Sequence, residues 1–137
     1  MFSADRYIKR VRCNLKMRIY IDTNVYLDYL LDRKNKRGKD LSKPAFEVFR
    51  RALNCEFYIL ISNHLIYELR GIADLKDITM LMCFLKKKIL KIEGEPEGKG
   101  DELHAQLAIK YSADVIVTRN INHFKKFSIQ AHTPEEL

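Results

Sequence analysis

Short apolar runs separated by stretches of helical length constrain this chain more than any other feature. Ile19–Ile21, Phe57–Ile61 and Asp114–Thr118 are brief and rich in β-branched residues, as buried strands are. Between them, apolar residues recur at helical spacing. Val25–Leu31 follows the first run, and Pro44 opens a helix to about Asn54 with Ala45, Val48, Phe49 and Leu53 inward. His64–Ile72 carries Leu65, Leu69 and Ile72 on one face, and Asp77–Leu90 carries Ile78, Leu81, Leu85 and Ile89. Ile89–Ile92 reads either as the end of that helix or as a further short strand. Glu102–Ser112 presents Ala105, Ala108, Ile109 and Ser112, a small-residue face for close packing on a sheet, and Ser128–His132 is a last short strand. Such alternation predicts an α/β fold with a parallel sheet.

The 137 residues favour one domain with one core, and 47% apolar content is enough to bury it. No apolar run approaches the length of a membrane span, and the basic N-terminus lacks the apolar segment of a signal peptide. Cys13, Cys55 and Cys83 are odd in number and widely spaced, which predicts buried, reduced thiols in a cytosolic protein. Net charge is +7, a balance suited to a polyanionic partner. Residues 1–16 hold Arg6, Lys9, Arg10, Arg12 and Lys16 against Asp5, or +4, and leave +3 for the domain at 17–137. The extension precedes Met17 and reads as an overlong start, a packing arm or a nucleic-acid-binding arm, the first two being favoured. Asp32–Ser42 is a polar loop whose Arg33, Lys34, Lys36, Arg37 and Lys39 are either simply solvated or a flap touching phosphates. Glu93–Gly100, with three glycines and a proline, is the strongest break in the chain.

Polar residues punctuate this pattern at particular places. Asp22 ends the first strand, and either Asp22 or Asn24 can cap the following helix. Alternatively, Asp22 is a carboxylate at the carboxyl end of a central strand, where open α/β sheets bind ligands. Glu68 lies at i+3 from Leu65, on the apolar face of its helix, where a carboxylate needs a cation or must reach water. Asp101 opens a helix, again as a cap or as something sharper. Thr118 and Asn120 follow the strand at Asp114–Thr118. In a parallel sheet all strand ends lie on one side, so Asp22, Glu68, Asp101 and the Thr118–Asn120 turn can converge. Clustered carboxylates repel unless a hard divalent cation joins them, and Mg²⁺ takes oxygen ligands. Such an ion acidifies a water for attack on a phosphodiester, with Thr23, Asn24, Thr118 and Asn120 orienting the ligands. There is no Gly-rich phosphate cradle. His64, His104, His123 and His132 lack H-x-x-x-H spacing, which argues against zinc and reads each as a surface or core histidine.

The segments IYIDTNVYLDYL, ISNHLIYEL, DELHAQLAIKYSADVIVTRN, Phe124 and TPEEL, taken in order, resemble the PIN domain over residues 17–137, and particularly the VapC-like toxins of toxin–antitoxin pairs. The resemblance implies a three-layer α/β/α sandwich with a parallel sheet of four or five strands. It further implies Mg²⁺- or Mn²⁺-dependent endonucleolytic cleavage of RNA, with Asp22, Glu68 and Asp101 as the metal-binding acids. A small antitoxin and a homodimer are the partners it implies, with no membrane. Asn120 and His123 stand where the family often has further acids, which puts a second metal in question. Two other classes compete. A non-catalytic nucleic-acid or partner-binding module keeps the basic segments without metal. A phosphatase of the haloacid dehalogenase type also opens on a strand and Asp, but needs an acid where this chain has Asn24.

Overall fold

The computed structural model describes residues 17–93 and 101–137, and for Asp101 the backbone alone. The basic extension and most of the Glu93–Gly100 break lie outside the described residues. Five strands form one sheet: β1 (Met17–Ile21), β2 (Phe57–Ser62), β3 (Ile89–Ile92), β4 (Val115–Val117) and β5 (Gln130–His132). All neighbours pair in parallel, in the order β3-β2-β1-β4-β5. Among the described residues six α-helices flank the sheet: α1 (Thr23–Leu30), α2 (Ser42–Leu53), α3 (Asn63–Arg70), α4 (Leu75–Leu85), α5 (Asp101–Lys110) and the short α6 (Ile121–Phe124). Among the described residues no helix is long and apolar enough to cross a membrane.

Alternation along each strand builds the layers. Ile19, Ile21, Phe57, Ile59, Ile61, Val115 and Val117 face one way, into a core with residues of α1 to α4. Tyr20, Leu60 and Ile116 face the other way, against α5 and Phe124 of α6. This is the period of two expected of strands buried on both faces, and it yields a three-layer α/β/α sandwich. Tyr26 stacks on Phe49 at 5.5 Å between α1 and α2, and full burial of the Phe49 ring stabilises by about 1.5–3 kcal/mol. The chain winds outward from β1 to β3 with α1 to α4 on one face, then returns past β1 to β4 through α5 on the opposite face. The carboxyl ends of β1 and β4 therefore flank the point where winding reverses, the usual ligand crevice of an open α/β sheet.

Local expectations change in several places. Ile89–Ile92 is a strand, because α4 stops at Leu85 and Lys86–Lys88 form one 3-10 turn. α3 ends at Arg70, so Ile72 leaves the apolar stripe and is exposed. α5 ends at Lys110, and Ser112 takes φ +58°, a left-handed conformation common just past a helix end. The buried face of α5 is accordingly Leu103, His104, Ala105, Leu107 and Ala108, while Ile109 is exposed. Cys55 and Cys83 are exposed rather than buried, Cys55 lying past the end of α2 and Cys83 on the outer face of α4.

Candidate functional site

Asp22 occupies the N-cap position of α1, yet its side chain accepts no hydrogen bond from the helix. Its backbone N–H donates to the Val117 carbonyl of β4 at 2.9 Å, which extends the sheet by one rung. Its Oδ2 instead accepts the Thr118 hydroxyl at 2.9 Å, between two residues only 2% and 0% exposed. Thr118 Oγ1 also accepts the Asn120 N–H at 3.0 Å, so the turn after β4 is built around this hydroxyl. The next helix shows the contrasting case. Ser62 caps α3 as its sequence suggests, accepting the Leu65 N–H at 3.1 Å.

Glu68 reaches the same edge of the sheet from α3. The Thr23 hydroxyl, next in the chain to Asp22, donates to Glu68 Oε1 at 2.9 Å. His104 Nε2 lies 2.5 Å from the same oxygen, in close hydrogen-bond contact. His64, one turn before Glu68, places its Nε2 3.5 Å away. Behind His104, the Tyr20 hydroxyl sits 2.6 Å from Nδ1 and 2.9 Å from Ser62 Oγ. A continuous chain thus runs from Ser62 through Tyr20 and His104 to Glu68. His104 is 2% exposed, while the Glu68 side chain keeps 30% of its surface in contact with solvent. The inner end of this chain is dry and the outer end is open.

Electrostatics agree with the convergence. Burial drives the Tyr20 phenol well above its ordinary pKa; the Ser62 hydrogen bond opposes this, and the charges of Glu68 and Asp22 push it further up. The two carboxylates therefore act on one hydroxyl. Burial also lowers the pKa of His64, against the Glu68 charge and with the neighbouring His104. Among the described residues, His64, Glu68 and His104 are the set of three metal-capable side chains whose ligand atoms all lie within 4.8 Å of one another. Asp22 is not a member of that set. Asp101 begins α5, one turn before His104, and its side chain lies outside the described residues.

The remaining predicted positions divide. Asn24 accepts from Arg33 Nη1 at 3.3 Å, which ties the basic loop to the start of α1. Arg33 also lies 3.9 Å from Asp28, and Lys39 lies 4.0 Å from Glu135. The backbones of Lys34 and Asp40 form an antiparallel bridge across the loop, and the Asn35 side chain accepts the Arg37 and Lys39 N–H groups. Lys36 is exposed. Arg119, between Thr118 and Asn120, serves the scaffold: it grips Asp28 at 2.8 Å and Glu135 at 3.0 Å.

No protein-family model matches the chain, and no curated protein matches it. Function therefore rests on the side chains themselves. His64, His104, Tyr20 and Ser62 escape a search for His pairs because the histidines come from different helices. The signals that identify them are the i, i+4 spacing of His64 and Glu68, and Tyr20 as a polar side chain between Ile19 and Ile21.

Proposed function

We propose that this chain is a metal-dependent endoribonuclease of the PIN type, acting as the toxin of a toxin–antitoxin pair, with Asp22, Glu68 and Asp101 as its acids. One observation carries the reading: a buried carboxylate at a helix N-terminus, Asp22, directs its Oδ2 to Thr118 and leaves the helix uncapped. A structural cap would have done the opposite. Carboxylate oxygens such as those of Asp22 and Glu68 are the donor type that Mg²⁺ or Mn²⁺ takes, so the donor chemistry fits the ion. A bound divalent cation there supplies charge that offsets the phosphate and acidifies a water.

The chain's own groups do the rest. Thr118 fixes the rotamer of Asp22, and Thr23 fixes Glu68, so both carboxylates are oriented before substrate arrives. Arg33, Lys34, Lys36, Arg37 and Lys39 supply positive charge along the loop tied to Asn24, favourable for a phosphate backbone. A net charge of +7 points the same way. The test is cleavage of a single-stranded RNA by purified chain in Mg²⁺. Asp22→Asn should retain the far-ultraviolet dichroism of the wild type and lose cleavage. A folded variant that cleaves at the wild-type rate refutes the reading.

A further inference from the structure

We infer that His64, Glu68 and His104 form a binding site for a first-row transition cation, such as Zn²⁺ or Co²⁺, distinct in ligand chemistry from the carboxylate site for Mg²⁺. The inference shares Glu68 with the nuclease reading, but His64 and His104 play no part in that reading and the test below does not use nuclease activity.

Three observations carry it. First, the spacing is nearly that of a ligand set. Two donors each ~2.1 Å from one tetrahedral ion stand about 3.4 Å apart. His64 Nε2 and Glu68 Oε1 are 3.5 Å apart already. His104 Nε2 and Glu68 Oε1, at 2.5 Å, must open by about 1 Å, the difference between a shared proton and a shared ion. Glu68 can make that movement because its side chain is long and 30% exposed, whereas His104 is held in the core.

Second, His64 Nε2 is a buried polar atom without a hydrogen bond. Such atoms are rare and costly in folded proteins. A cation between His64, Glu68 and His104 satisfies it. The imidazoles stand 5.3 Å apart between ring centroids, tilted by 53°, so both can direct Nε2 toward one point beside Glu68.

Third, the support behind His104 is that of a metal-ligating histidine. Ligating imidazoles generally donate their other ring N–H to a fixed partner, which sets tautomer and orientation. Tyr20 Oη is 2.6 Å from Nδ1 and is held in turn by Ser62 Oγ at 2.9 Å. Hydroxyls both donate and accept, so the pair serves either tautomer. Without the ion, Tyr20 donates to Nδ1 and Nε2–H donates to Glu68. With it, Nδ1–H donates to Tyr20, Tyr20 donates to Ser62, and Nε2 is bare for coordination. In this exchange one proton moves from Nε2 to Nδ1. Two nitrogens and one oxygen suit borderline transition ions and not Mg²⁺, which prefers oxygen alone. Three protein ligands leave a coordination position facing solvent.

The experiment titrates the full chain with Co²⁺ and follows its visible ligand-field absorption. One Co²⁺ per chain should bind, be displaced by Zn²⁺ and resist a large excess of Mg²⁺. Folding of each variant is checked by dichroism. Tyr20→Phe should weaken binding about 10–100-fold, as loss of a ligand's supporting partner does. His64→Ala should weaken it at least as much, while Asp22→Asn should retain it. On the wild type, Zn²⁺ should shift the Nε2 resonances of His64 and His104, a readout that needs no variant. The proposal is overturned by absence of saturable Co²⁺ absorption, by unmoved histidine resonances, or by binding that survives His64→Ala but not Asp22→Asn.

Discussion

Replacing Thr118 by Val tests whether the buried Asp22 carboxylate is held as described. The substitution keeps a β-branched side chain of similar size at a position with no exposed surface, so it leaves no sizeable cavity. It removes one donor to Asp22 Oδ2 at 2.9 Å and the acceptor of the Asn120 N–H at 3.0 Å. A hydrogen bond to a charged group contributes about 1.5–3 kcal/mol, and a neutral one about 1 kcal/mol. The expected loss is therefore about 2–4 kcal/mol, from a total of about 5–15 kcal/mol for a domain of this size. Urea unfolding measures it, as a lower midpoint with an unchanged slope. In an Asp22→Ala background the charged bond no longer exists, and the same substitution should cost only about 1 kcal/mol. The difference between backgrounds isolates the Thr118–Asp22 pair. A loss below about 0.5 kcal/mol in the wild type, or equal losses in both backgrounds, refutes the assignment.

Two further predictions concern the scaffold beside the site. Arg119→Met should destabilise by about 3 kcal/mol, measured by urea unfolding, because it removes the 2.8 Å partner of the buried Asp28 carboxylate and leaves it Arg33 at 3.9 Å. A variant as stable as wild type would show that the pair contributes nothing net. For Glu135, burial raises the carboxyl pKa, but the Arg119 hydrogen bond and charge outweigh it and the net direction is down. Its folded pKa thus lies below the unfolded value, so its stabilisation is full above about pH 4.3 and is lost as pH falls through the folded value. Asp28 contributes the opposite sign, since burial raises its carboxyl despite Arg119. The stability difference between wild type and Glu135→Gln should be constant near neutrality and shrink in acid, read from unfolding at a series of pH values.

The strands were legible because their pattern is physical: a strand buried on both faces must be apolar throughout. Ile19–Ile21, Phe57–Ile61 and the core of Asp114–Thr118 all read this way, and all pair in the sheet. Helix ends were less legible because they depend on tertiary contacts. Ile72 fits the spacing of Leu65 and Leu69, but the chain turns at Gly71 and leaves it in water. The small residues of α5 marked half of its stripe: Ala105 and Ala108 are buried against the sheet, but Leu103, His104 and Leu107 join them where Ile109 and Ser112 were expected. The thiols misled for a related reason. Cysteine is commonly buried, but Cys55 and Cys83 occupy a turn and an outward helix face.

The site divides along the same line. Asp22 and Thr118 were legible together because parallel pairing sets neighbouring strand ends side by side; Ile21 opposite Val117 makes Asp22 and Thr118 the next rung. Glu68 was legible because a carboxylate on an apolar face needs a partner. Which partner it takes is decided across the sheet, and no local period records that. Tyr20 faces α5 because it alternates with Ile19 and Ile21, and from there its hydroxyl meets His104. Thr23, three residues on, begins α1 and meets Glu68. The four residues from Tyr20 to Thr23 thus touch β4's turn, α3 and α5. A shift of β1 by one residue would turn Tyr20 into the opposite core and separate His104 from its support. The register of this one strand therefore governs both the Asp22–Thr118 contact and the Tyr20–His104 contact.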